Sequence, residues 1–338
     1  MTMHGLALNF VLLLGSAVVI YLSCEYFVNG VEWVGRKLAM GAQATGTVLA
    51  AFGTALPESV VTLVAVAFGG TAASKELGIG AALGGPLALS TIAYATVGVV
   101  LLATRQQFPK ALAAHGRFDR LARDQRWFLL LFAAKIGLGL ILFTGKAWTG
   151  ILFLLAYGLY VRQEMRGPAD PDEQEALEPL KFAPRAETPG LLPALAQTGL
   201  ALVVIFVASR IFVGQLEQLG PALGLQPQLL ALLLSPIATE LPETMNAIIW
   251  VRQGKYALAL ANISGAMMIQ ATVPTALGLF FTPWLLGPPL ILAAAVTAVA
   301  IVAMYSMFRR GFASRKLLAG MGGLYAVFAG LLVAMHLA

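Results

Sequence analysis

Three glutamates stand where a charge is costly. Glu58, Glu240 and Glu243 lie inside long apolar runs, well away from their ends. At the centre of a membrane helix a charge costs roughly 2.5–3.5 kcal/mol, so three unrelieved carboxylates would cost on the order of 10 kcal/mol. A cation or a proton must relieve them, and a divalent ion held between Glu58 and Glu243 would neutralise that pair. Both acids close the same tripeptide, Leu56-Pro57-Glu58 and Leu241-Pro242-Glu243. Proline lacks the backbone donor and clashes with the preceding turn, which predicts that Pro57 and Pro242 break their helices just before the acid and free carbonyls toward it. Taken singly, each proline also reads as a plain kink. Thr54 and Thr239, one turn before each acid, bring carbonyls and hydroxyls to the same face, or use those hydroxyls to pack helices. Hard oxygen donors of this kind suit Ca²⁺ better than Zn²⁺, and no His or Cys stands nearby. Glu240, one turn before Glu243, adds a carboxylate that could carry a proton.

Such residues need a scaffold that keeps them from water, and the composition supplies one. The 338 residues are 59% hydrophobic and 11% charged, far from the roughly 25% charged of a soluble domain. Apolar runs recur at the length that crosses about 30 Å of hydrocarbon, and the 35 Gly and 17 Pro are tolerated between packed membrane helices. The net charge of +6 does not indicate nucleic acid, because the basic residues occupy short loops rather than one face. A single cysteine, Cys24, excludes an internal disulfide and a multi-cysteine metal site. Met1 to Gly5 lacks the features of a cleaved signal, so the first span is expected to be retained.

Ten spans follow, near 6–28, 42–69, 76–103, 126–144, 147–162, 191–213, 222–252, 257–283, 286–307 and 317–337. Lys and Arg concentrate in alternate loops: Arg36/Lys37, Arg105 to Arg126, Arg162 to Arg185, Arg252/Lys255 and Arg309 to Lys316. The positive-inside rule then puts both termini outside and the central loop in the cytoplasm. The predicted fold class is an all-α polytopic membrane protein. A first half, 1–166, and a second half, 191–338, hold five spans each around a Pro-rich and acidic linker, 167–190, read as solvated.

The halves repeat. Ser23-Cys24-Glu25-Tyr26-Phe27-Val28 with Glu32 and Gly35 matches Ala208-Ser209-Arg210-Ile211-Phe212-Val213 with Glu217 and Gly220, and the same offset carries Gly53–Glu58 onto Ala238–Glu243. An odd number of spans per half makes the second copy enter from the opposite side, the inverted-repeat plan of many secondary transporters. Glu25 and Arg210 then fall near opposite faces and are not expected to pair.

At these residues the chain resembles the cation/Ca²⁺ exchanger family, whose inverted alpha-repeats carry Gly-Thr-Ser-Leu-Pro-Glu followed by a Gly-Asn-x-x-Gly-Ser-Asn-like helix. The resemblance implies that Glu58 and Glu243 are the principal Ca²⁺ ligands and that Thr54 and Thr239 add backbone carbonyls. It also implies alternating access, with the first and sixth spans sliding across the remaining bundle. Departures accompany the match. The motif serine is Ala55 in the first repeat and Glu240 in the second. Gly85 and Leu89 stand at the Ser and Asn positions of the first helix; in the second, Asn262 and Gly265 match, while Ala266 and Gln270 replace Ser and Asn/Asp. The family uses those oxygens largely for Na⁺, which leaves Na⁺ or H⁺ as the coupling ion. Asn262 and Gln270 either line the site or hydrogen-bond between helices, and Gly84, Gly85 and Gly265 let helices approach closely.

The expectation is a secondary-active inner-membrane cation antiporter exporting Ca²⁺ in exchange for Na⁺. An H⁺-coupled antiporter and a relative moving another cation are the alternatives. Broken helices at a closed midplane site argue against a passive channel. No Asp dyad in Gly-x-Gly-Asp context, Gly-x-Ser-x-Gly or zincin pattern suggests an enzyme. No cofactor, nucleic acid or obligate protein partner is called for. The partners are the lipid bilayer and inorganic cations.

Overall fold

The computed structural model describes residues 3–41, 44–68, 72–108, 116–166, 177–222, 233, 236 and 239–337; within its helices several side chains, those of Leu56, Pro57 and Glu58 among them, lie outside the description. The described residues form helices and loops, with no strand among them. In chain order the helices are α1 (Met3–Lys37), α2 (Ala51–Leu63), α3 (Ala72–Ala88), α4 (Tyr94–Ala103), α5 (Arg117–Leu140), α6 (Thr149–Met165), α7 (Leu191–Ala222), α8 (Leu241–Arg252), α9 (Tyr256–Phe281), α10 (Pro288–Arg309) and α11 (Arg315–Leu337). Wide π-helical turns flank α2 at Thr45–Ala50 and Val64–Phe68 and join α3 to α4 at Leu89–Ala93.

Six helical segments among the described residues are long and apolar enough to cross a membrane: Leu8–Lys37, Gly78–Ala103, Leu191–Phe212, Tyr256–Phe281, Pro288–Arg309 and Arg315–Met335. The predicted spans 126–144 and 147–162 are the helices α5 and α6, the first charged along its early turns and the second only 17 residues long. Span 42–69 is the π–α–π segment around α2, and of span 222–252 the part largely described is α8. α1 has 35 residues, about 50 Å at 1.5 Å per residue, so it tilts or projects beyond the hydrocarbon.

α9 is the axis of the bundle. Its most apolar window is 83% buried, against 28% for α1, α7 and α11, whose outward leucines and valines suit lipid. Around α9 pack the Thr45–Ala50 turn, α2, α3, α5, α6 and α8. Glycine permits close approach: a Cβ on Gly265 would lie 2.3 Å from the Thr47 carbonyl oxygen.

The pairings between halves are reciprocal. The third span packs on the tenth (α4 on α11) and the eighth on the fifth (α9 on α6), while the first packs on the sixth (α1 on α7) and the fourth on the ninth (α5 on α10). Exchanging the halves maps this set onto itself. The sequence repeat is thus a repeat of packing, in an all-α membrane fold of inverted halves.

Two expectations need correction. α2 runs unbroken from Ala51 to Leu63 through Pro57, so the departure from α-geometry falls a turn earlier, in the Thr45–Ala50 π-turn that α9 packs against. The linker is also not wholly solvated. Trp33 Nε1 donates to the Glu178 carbonyl (2.9 Å), and Gln197 Nε2 reaches the Tyr26 carbonyl (2.8 Å) and Asn29 Oδ1 (2.9 Å). The Lys181 N–H donates to Asn29 Oδ1 (3.1 Å) and that of Phe182 to Gln197 Oε1 (2.8 Å), while Leu180 is fully buried against Trp33, Val34 and Ala194. Polar side chains within α1 and α7 need partners, and the linker backbone supplies them. Residues 167–176 lie outside the described residues. Glu25 pairs with Lys181 at 3.7 Å, and Arg210 lies over the Phe206 ring.

Candidate ion-binding site

α8 begins at the second Leu-Pro-Glu. Glu240 occupies its N-cap, Pro242 one of its first two positions, where a missing N–H is harmless, and Glu243 its first turn. Here the proline stands at the start of a helix. Both carboxylates are withdrawn from solvent, with residue exposures of 2% for Glu240 and 1% for Glu243. Like charges one turn apart repel.

α9 supplies the polar groups facing them. Gln270 Nε2 donates to Glu240 Oε1 at 2.5 Å, and Asn262 Nδ2 donates to the Glu243 carbonyl at 3.4 Å. Both amides are buried, and among the described residues Gln270 Oε1 and Asn262 Oδ1 have no hydrogen-bond donor. Two amide oxygens beside two carboxylates offer hard ligands to a cation.

α3 approaches from the first half. A Cβ on Gly85 would lie 2.5 Å from Gln270 Oε1 and 2.9 Å from Glu240 Oε1. The two departures from the repeat motif therefore meet in space. Position 85 has lost a side chain where position 240 carries a larger one, so the Glu240 carboxylate occupies room that a residue at 85 would need.

The other predicted residues take these places. Thr54 is buried and its hydroxyl donates to the Ala50 carbonyl (3.1 Å); the Thr239 hydroxyl donates to the Pro236 carbonyl (3.2 Å). Each hydroxyl proton is used locally, with oxygen lone pairs left over. The backbone of Glu58 belongs to α2, which packs on α8 and α9; the side chains of Glu58 and Pro57 lie outside the description. Among the described residues no three acidic, His or Cys side chains cluster as a metal site.

Two groups escaped the sequence reading. Asn246, one turn beyond Glu243, is fully buried with neither amide atom hydrogen-bonded among the described residues; the three-residue spacing within an apolar run was its signal. Lys135 is fully buried in α5, with its ammonium on the Ala82 carbonyl at 2.9 Å. Its signal was a lysine in the middle of an apolar span.

The family profile for the sodium/calcium exchanger protein matches residues 8–162 and 193–334. The chain belongs to that family. Its members are transporters, and this exchanger-family protein is a helical membrane protein of the antiporter type. It is 25% identical to the inner membrane protein YrbG of Escherichia coli (strain K12) over 281 residues, covering 82% of this chain and 81% of the relative. CaxA of Alkalimonas amylolytica, provisionally named an antiporter, is 26% identical over 278 residues, 80% of each chain. The solved sodium-calcium exchanger NCX_Mj, soaked with zero Na⁺ and Ca²⁺, superposes with a TM-score of 0.74 at 18% identity, covering 97% of this chain and 99% of that one. At that identity the likeness speaks for the fold.

Proposed function

We propose that this exchanger-family protein is a secondary-active antiporter that exports Ca²⁺ in exchange for Na⁺, binding its cargo at the buried carboxylates by alternating access. The observation that carries the reading is the pair Glu240 and Glu243, nearly free of solvent at the start of α8 and faced by Gln270 and Asn262. Buried acids one turn apart require a positive charge, and the surrounding oxygens fit a hard cation. Glu58 and Glu243 are the principal ligands in this reading, Thr54 and Thr239 give backbone oxygens, and Glu240, Gln270 and Asn262 complete the shell.

Halves 1–166 and 191–338 form the two repeats, with 167–190 on the cytoplasmic side and both termini outside. The alternation of basic loops supports that orientation. The pair α1 and α7, which pack along each other, is the moving unit against the rest of the bundle.

A second reading is H⁺ coupling. It is favoured by Glu240, an acid at a motif serine position, hydrogen-bonded to Gln270. One experiment separates the two. Purified protein in sealed vesicles is given either a Na⁺ or a pH gradient, and ⁴⁵Ca²⁺ uptake is followed. Uptake driven by Na⁺ alone supports Na⁺/Ca²⁺ exchange, and uptake driven by pH alone supports H⁺ coupling. Uptake that ignores both, or that survives Glu58→Gln and Glu243→Gln unchanged, sinks the antiport site.

A further inference from the structure

Lys135 is the only basic side chain with zero exposure among the described residues, and the carbonyl it holds is not an arbitrary one. In an α-helix the Ala82 carbonyl would accept from the N–H of residue 86, but residue 86 is Pro86, inside α3, and has none. Lys135 Nζ takes that vacant acceptor at 2.9 Å, its one hydrogen bond among the described residues, while lying 5.0 Å from the Phe132 ring centroid. Lone carbonyls in a membrane interior seek a donor or a cation, and a neutral donor would suffice. The acceptor is met instead by a lysine, one turn of α3 before Gly85, where an added Cβ would meet Gln270 and Glu240.

We propose that Lys135 is a resident cation of the ion-binding region. Its ammonium fills, as a covalently attached group, the place that a small monovalent cation would take at the carbonyl freed by Pro86. The proposal deepens the antiport reading and rests on it only where transport is the readout.

Lys135→Ala removes the three carbons and nitrogen of n-propylammonium, so this amine is the matched probe. Full-length wild type and Lys135→Ala are compared in detergent and in vesicles, at constant ionic strength with choline as balance and tetraethylammonium as an amine too large to enter. The variant is expected to lose Ca²⁺/Ca²⁺ counterflow by roughly tenfold, as for a group supporting a metal site. Propylammonium, and to a smaller extent Na⁺, is expected to raise its melting temperature and restore counterflow, with no such response in wild type. A variant that behaves as wild type, or whose melting temperature and flux ignore every small cation, overturns the proposal. If Lys135→Ala does not fold, Pro86→Ala/Lys135→Ala returns an N–H to the Ala82 carbonyl and carries the same measurements. Full activity of that double variant in choline alone would show that Lys135 only satisfies a carbonyl, and would also overturn the proposal. Wild type without Ca²⁺ counterflow would sink the cargo assignment, while the melting curves would still decide the role of Lys135.

Discussion

Gly85 and Glu240 are best understood as one substitution spread over two helices. A side chain at 85 must displace Gln270 Oε1 or Glu240 Oε1, 2.5 and 2.9 Å from the Cβ position, and overpacking a filled site costs about 1–3 kcal/mol. Gly85→Ser alone should lower the melting temperature and weaken Ca²⁺ exchange. Gly85→Ser with Glu240→Ser should regain the stability and increase the dependence of exchange on Na⁺, checked by melting curves and ⁴⁵Ca²⁺ flux; strictly additive losses would show the two positions to be uncoupled. Gln270→Leu leaves the Glu240 carboxylate without its 2.5 Å donor. Loss of such an orienting partner weakens metal binding by roughly 10–100-fold, which a Ca²⁺ titration of counterflow would read. The acids were legible from one sequence because a charge in an apolar run announces itself. The contact between Gly85 and Glu240 was not, because it joins residues from opposite halves and one of them has no side chain to notice.

Elements show the same division. Apolar runs located the helices, yet the π-turns and the unbroken passage of α2 through Pro57 depend on packing against α9. Proline discourages an α-helix without dictating where the chain must yield. After Pro86 the chain widens at Leu89–Ala93, and the hydroxyls of Ser90 and Thr91 bond back to the Leu87 carbonyl at 3.1 and 2.5 Å. The linker departs from its composition for a related reason. Its composition is that of a solvated segment, but its backbone is the partner of Asn29, Trp33 and Gln197. Trp33→Phe removes the donor to Glu178 and should cost about 1 kcal/mol, seen as a lower melting temperature and faster proteolysis between α6 and α7. Unchanged proteolysis would mean that this clasp does not hold the linker.

At the scale of the molecule, α1 is tied to both candidate moving and static parts. Gly30 lies against Thr198 of α7 so closely that a Cβ would sit 3.4 Å from the Thr198 Cα. At the other contact Glu32 accepts from Trp250 Nε1 at 2.8 Å and pairs with Lys255. If α1 and α7 move as a unit, a Gly30→Cys/Thr198→Cys disulfide in a Cys24→Ser background should leave exchange intact. A short bis-maleimide bridge across Glu32→Cys/Lys255→Cys should arrest it. Arrest by the first bridge and not the second would reverse the assignment of moving and fixed parts.

The reciprocal packing of α4 on α11 and of α9 on α6 reaches back into biogenesis. The third span has no complete neighbour until the tenth has left the ribosome, so folding cannot finish half by half. Residues 1–166 and 167–338 expressed as separate chains should each be degraded alone and recover exchange only when made together. A half-length chain could satisfy the same interfaces only with a second copy of itself, inserted the other way up.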